Sequence, residues 1–165
     1  MMNRSMRLYA AALFVAAWIG AALITVAVVA PGAFAVLPSR TMAGTMVGRV
    51  LPALFIAGMV IGVLVAAVTS GAPSAGAPSA GAPRWASASA LLAALACFVA
   101  QFWITPKLDR LRAEIGGPVD ALPAGDARRV AFGLLHGYNV AGLGVAMVGA
   151  AVCLGFLLVA MRPRS

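Results

Sequence analysis

Residues 8–30, 50–68, 85–105 and 130–161 contain no Asp, Glu, Lys or Arg, and these four runs make up most of the chain. An α-helix rises about 1.5 Å per residue and a bilayer's hydrocarbon core is roughly 30 Å thick, so ~20 apolar residues cross it. Each run reaches that length. The pattern predicts an all-α integral membrane four-helix bundle in one domain, with spans at about 8–30, 50–69, 85–105 and 130–161. Of 165 residues, 63% are hydrophobic and 10% charged, which leaves little for a soluble domain.

The formal net charge of +8 would point to nucleic acid in a soluble protein. Here the Lys and Arg residues flank the spans, where they meet lipid headgroups, and no basic face carries interleaved aromatics. The expected surroundings are therefore the lipid bilayer and either further copies of the chain or another membrane protein, not nucleic acid. Eleven of the twelve basic residues are Arg and Ala is abundant, a bias that points to a GC-rich bacterial genome and an inner membrane. Cys97 and Cys153 lie inside apolar runs and read as small fillers rather than a disulfide. Ala33-Phe34-Ala35 resembles a signal cleavage site, but the preceding apolar stretch exceeds the roughly 7–15 residues of a signal core. It reads as a retained first span.

Pro31-Gly32 is expected to stop the first span. Pro52 fits the first turn of the second, or kinks it if that helix begins near Thr41. Residues 70–84 form a Gly/Ala/Pro/Ser spacer built on a repeat of Gly71-Ala72-Pro73-Ser74-Ala75, a flexible tether that divides the chain into two helical hairpins. Trp85 and Trp103 bracket the third span at the spacing of two interfacial aromatic belts, about 27 Å. Beyond Pro106, residues 107–115 keep a helical pattern, with Asp109/Arg112 and Arg110/Glu114 spaced to pair. Asp126 is placed to cap the last helix.

In lipid, close approach of small residues drives helix packing. At 100° per residue, Gly44, Gly48, Gly58 and Gly62 fall within about 40° of one line, and so do Gly133, Gly137, Gly144 and Gly155. These stripes are expected to face neighbouring helices, unless glycine is simply frequent in membrane helices.

Polar groups in the spans gather at one end. Gln101 and Thr105 close the third span, His136, Tyr138 and Asn139 open the fourth, and Arg49 opens the second. A polar group facing lipid is expensive, so His136, Asn139 and Gln101 are expected to point inward and find partners. With Arg49 or Arg112 nearby they form either a ligand, ion or proton site or a set of interhelical hydrogen bonds that clamps the bundle, at ~0.6–2 kcal/mol per pair. No catalytic motif of the zincin, nucleophile-elbow, P-loop or dinucleotide type occurs, so no enzymatic activity and no cofactor are expected. One His excludes bis-histidine haem, and the Met and Cys residues show no metal-ligand spacing.

Other features occur in a set order: Ala30-Pro31 with Phe34, then Ala43-Gly44, Gly48-Arg49 and Pro52, then Pro106 with Leu111-Arg112, then Leu135-His136-Gly137. In this the chain resembles the transmembrane protein 205-like family, called domain of unknown function 4149 in bacteria, from about Trp18 to Val152. It departs from that family in carrying Tyr138-Asn139 where a Ser often follows the His-Gly pair, and in its expanded spacer. The resemblance implies a four-helix membrane protein of unestablished biochemical role, with His136 as its most recognisable signature.

Three function classes follow. The first is a small-ligand binding or transport-related protein whose polar site surrounds His136. The second is a non-catalytic membrane scaffold or assembly subunit that packs through its glycine stripes. The third is an intramembrane redox or metal-handling protein using His136 with Met or Cys. Termini and spacer carry five Arg and the other two linkers seven basic residues. Arg4 and Arg7 nevertheless flank the first span closely while Arg40 is distant, so both termini are read as cytoplasmic.

Overall fold

The computed structural model describes residues 3–70 and 81–162. The Gly-Ala-Pro-Ser-Ala repeat lies outside the described residues. Four helices are long and apolar enough to cross a membrane, Ser5–Val36, Arg40–Ser70, Ala82–Ile115 and Ala127–Ala160, and no strand occurs among the described residues. We number them first to fourth. They run 31 to 34 residues, about 46–51 Å of helix. Hydrocarbon needs only ~30 Å, so each helix overshoots the bilayer. Large apolar side chains such as Leu13, Phe14, Leu64, Leu95 and Val148 are exposed on all four helices. For a multi-pass membrane protein that surface faces lipid.

The first and third helices share a device that the sequence reading did not anticipate. Each is interrupted by a five-residue π segment, Thr25–Val29 and Ala100–Ile104, and the second residue after each is a proline, Pro31 or Pro106. Proline lacks an N–H, and its ring clashes with the carbonyl four residues back. A wider π turn moves that carbonyl aside. The N–H of Ala30 donates to the carbonyl of Thr25, and that of Thr105 to the carbonyl of Ala100, each five residues back. The first helix therefore does not stop at Pro31-Gly32 but continues to Val36. Pro52 likewise sits well inside the second helix rather than in its first turn. The Gly48 carbonyl consequently has no N–H from position 52 to accept.

The third helix is the centre of the bundle. Its buried line is Ala86, Ala90, Ala93, Ala94, Cys97 and Ala100, small residues at helical spacing that let two neighbours approach. A Cβ on Gly62 of the second helix would stand 2.6 Å from the Ala90 carbonyl oxygen, and one on Gly149 of the fourth 3.1 Å from that of Ser89. Trp18 joins the first helix to the second: it is buried, and its indole Nε1 donates to the Leu54 carbonyl at 2.9 Å. A Cβ on Gly58 would lie 2.8 Å from both Trp18 and the Cys97 Sγ. The apolar gap beside Trp18, Gly58 and Cys153 has a volume of about 20 Å³.

The glycine expectation is half corrected. Cβ atoms built on Gly58 and Gly62 would run into neighbouring helices, as expected, and one on Gly48 would touch Arg112, whereas Cβ atoms on Gly44, Gly133, Gly137, Gly144 and Gly155 would meet nothing within 4 Å. The buried face of the fourth helix runs through Asn139, Leu143, Ala146, Gly149, Ala150, Cys153 and Leu157. At 100° per residue this face is roughly 155° from the predicted stripe. Shape selects the face: Ala146, Gly149, Ala150 and Cys153 lie on it, and Gly149 meets the alanine line of the third helix at Ala93, so the close approach of small residues occurs there and not along the predicted stripe.

Candidate functional site

The polar residues do collect at one end, and the packing fixes their depth. Gly142 lies against Ala100 and Gly149 against Ala93, so the third and fourth helices run antiparallel with Trp103 level with Asn139. If Trp103 marks an interfacial belt, Asn139 is at the membrane boundary and His136 one turn beyond it.

Asn139 points inward as expected. It is 7% exposed, and its Oδ1 is buried with no hydrogen-bond partner. Gln101 belongs to the second π segment and is half-buried, and its Oε1 is likewise buried and unpartnered. Both residues lie within a turn of the Ala100–Gly142 contact. The third helix's hydroxyl nearby is already used: Thr105 Oγ1 donates to the Ala100 carbonyl at 2.9 Å. The expectation that these amides find partners is thus not met within the chain.

His136 does not point inward. It is exposed and stacks on Phe132, one turn earlier, with ring centroids 6.3 Å apart and planes within 4°. Its position follows from helical phase. Three residues before Asn139, it lies about 60° from that residue and beyond the edge of the buried face. The fourth helix also begins at Ala127, which carries His136 toward headgroups rather than hydrocarbon, where exposure costs little.

Arg112 supplies a connection that spacing alone did not reveal. Its guanidinium lies 5.2 Å from the centre of the Phe132 ring and 3.6 Å from where a Cβ of Gly48 would be. It also reaches Asp109 at 3.3 Å. One cation thereby touches the second, third and fourth helices, at ordinary contact distance from the Cβ position of Gly48. Arg49 is exposed and joins none of these contacts. Lys107 stands over Trp103 at 5.2 Å, where cation–π attraction holds an ammonium at the interface. Of the five candidate residues, Gln101 and Asn139 share one depth, Arg112 and His136 meet around Phe132, and Arg49 stands apart.

Two termini bound this end. Gly116, with φ of 64°, closes the third helix in the left-handed region. Asp126 caps the fourth, its Oδ1 accepting from the Arg128 N–H at 2.9 Å. The Arg128 guanidinium binds the same carboxylate at 2.8 Å, and these hydrogen bonds hold the Asp126 carboxyl down at about 2. The Arg110–Glu114 pair does not form; the ion pairs among the described residues are Arg112–Asp109 and Arg128–Asp126. Among the described residues no three His, Cys, Asp or Glu side chains converge as metal ligands.

No curated protein and no solved structure matches this chain. One family profile does, over residues 13–116, which takes in most of the first helix and all of the second and third. It ends before the fourth helix, so the His136 motif is outside the matched residues, and it carries nothing about transmembrane protein 205. On that match, the chain belongs to the family described as a domain of unknown function (DUF4149).

Proposed function

We propose that this multi-pass protein is a non-enzymatic binding protein of the bacterial inner membrane, its termini cytoplasmic, holding a small ligand at the polar end between its third and fourth helices. One observation carries the reading: Asn139 Oδ1 and Gln101 Oε1 are both shut from solvent with no donor to either. A buried acceptor without a partner costs ~1–3 kcal/mol. A chain that needed only a clamp would be better served by Leu at both positions. Retaining two such acceptors near one depth makes sense when a ligand supplies the donors. Arg112, held over Phe132, forms the water-side wall of this site.

The test is the empty protein's stability. With Leu at position 139 the orphan acceptor is gone and the volume is nearly kept, so Asn139→Leu is expected to leave thermal stability in detergent unchanged or raised. A clear loss of stability would mean that Asn139 is a structural clamp, against the proposal. A second reading is supported by the outer face of the fourth helix, where Gly133, Gly137 and Gly144 are exposed and uncontacted. Such a face fits another membrane helix, as in a scaffold or oligomer. Gly137→Leu would then dissociate a detergent-stable complex and leave the monomer folded.

A further inference from the structure

Given the binding reading above, on which this inference rests, we propose that the ligand's head is an uncharged hydrogen-bond donor, a hydroxyl or N–H group on a lipid-soluble molecule. The two unpartnered atoms are both amide carbonyl oxygens. As carbonyl oxygens they accept hydrogen bonds and repel anions, and a hydroxyl head, being both donor and acceptor, can also meet the amide N–H groups beside them. A divalent cation requires carboxylates, and the spans contain none; Asp109, Glu114, Asp120 and Asp126 all lie in the segments beyond Pro106 that precede the fourth helix. A monovalent cation or ammonium is opposed by the local field. Lys107, Arg110, Arg112, Arg128 and Arg129 stand on the same end, and of these only Arg112 and Arg128 are paired with a carboxylate. A neutral donor meets neither penalty.

Depth sets the rest of the molecule. Asn139 is level with Trp103, where a bilayer changes from acyl chain to headgroup. A ligand with its head there keeps its tail among the helices' apolar outer faces, beside exposed Phe98, Phe102 and Trp103. The approach from lipid is also defined. The first helix packs along the fourth mainly through Arg4–Ile24, and beyond its π segment it leans on the second helix instead. The fourth helix near Asn139 is therefore not closed over by the far half of the first.

Three probes of equal chain length separate the classes: 1-dodecanol, dodecylamine and dodecanoate. Each is titrated into the purified full chain in a zwitterionic amine-oxide detergent that has no hydroxyl of its own. Wild type, Asn139→Leu and Gln101→Leu are followed by thermal unfolding. The expected result is a saturable rise of a few degrees in the wild-type midpoint with dodecanol alone, lost in both variants, because a ligand stabilises only the state it binds. Stabilisation by dodecylamine or dodecanoate instead would overturn the neutral-donor class and leave the binding reading standing. Equal shifts with all three would assign the effect to the chain and overturn the proposal. No shift with any probe would also overturn it; the binding reading would fall with it only if Asn139→Leu unfolds more easily than wild type.

Discussion

Adding one methyl group at successive glycines tests the packing of the bundle on a graded scale. At Gly62 a Cβ would stand 2.6 Å from the Ala90 carbonyl oxygen and 2.9 Å from the Ala94 Cβ, against 3.4 Å for ordinary contact. The shortfall is 3.4 − 2.6 = 0.8 Å, and its obstacle is main chain. The second and third helices must separate by most of that distance. Overpacking of this kind costs about 1–3 kcal/mol. Because the obstacle is main chain, the upper part of that range, about 2–3 kcal/mol, applies. A Gly-to-Ala change in a helix gains ~1 kcal/mol of intrinsic propensity, so Gly62→Ala is expected to be net destabilising by ~1–2 kcal/mol. At Gly149 the nearest atom is the Ser89 carbonyl oxygen at 3.1 Å, and a small shift accommodates it, so the two effects nearly cancel. At Gly137 nothing stands within 4 Å, and Gly137→Ala is expected to gain a few tenths of a kcal/mol up to ~1. The assay is reversible unfolding of the purified variants in mixed micelles against rising denaturing detergent. The order Gly62→Ala least stable, Gly149→Ala near wild type and Gly137→Ala most stable is required. If Gly62→Ala matches wild type, or Gly137→Ala is the most damaging, the assigned helix faces are wrong.

Trp18→Phe removes the 2.9 Å bond to the Leu54 carbonyl but keeps most of the ring; a loss of ~1 kcal/mol is expected in the same assay, while Trp18→Ala opens a cavity at a cost of ~3–5 kcal/mol. Asp126 gives a pH dependence. Its carboxyl is lowered from 3.8 to about 2 in the folded chain, so its contribution is fully present above pH 3.8 and disappears as pH falls toward 2. The hydrogen-exchange protection of the Arg128 amide, its rate relative to the intrinsic rate at each pH, is expected to fall over that window, and Asp126→Ala is expected to lack that protection at every pH.

Fold class was legible because lipid imposes a simple rule: a backbone in hydrocarbon must satisfy its own hydrogen bonds, so four uncharged runs of spanning length become four helices. The cap at Asp126 and the helical continuation beyond Pro106 were legible for a similarly local reason, since both depend on residues within a turn or two. Pro31 was misjudged because a proline's local effect is ambiguous. It ends a helix or, when the preceding turn widens, is carried within one. The clash is written in the sequence, but its resolution as a π segment is not. The alanine line of the third helix was present at helical spacing, yet alanine's abundance hid it among equally apolar alternatives.

What the sequence determined by itself was therefore the solvent and the elements: oil around most of the chain, four rods, and their hydrogen-bonding side chains near one end. Tertiary packing decided which side of each rod turns inward. Nearly every face of such a helix is apolar, so burial against a neighbour and burial in lipid differ little in hydrophobic energy, and the choice passes to shape. That choice put Asn139 inside and His136 outside, although they are three residues apart. It also brought Gly48, Arg112 and Phe132 together from three helices, a contact that no local spacing encodes.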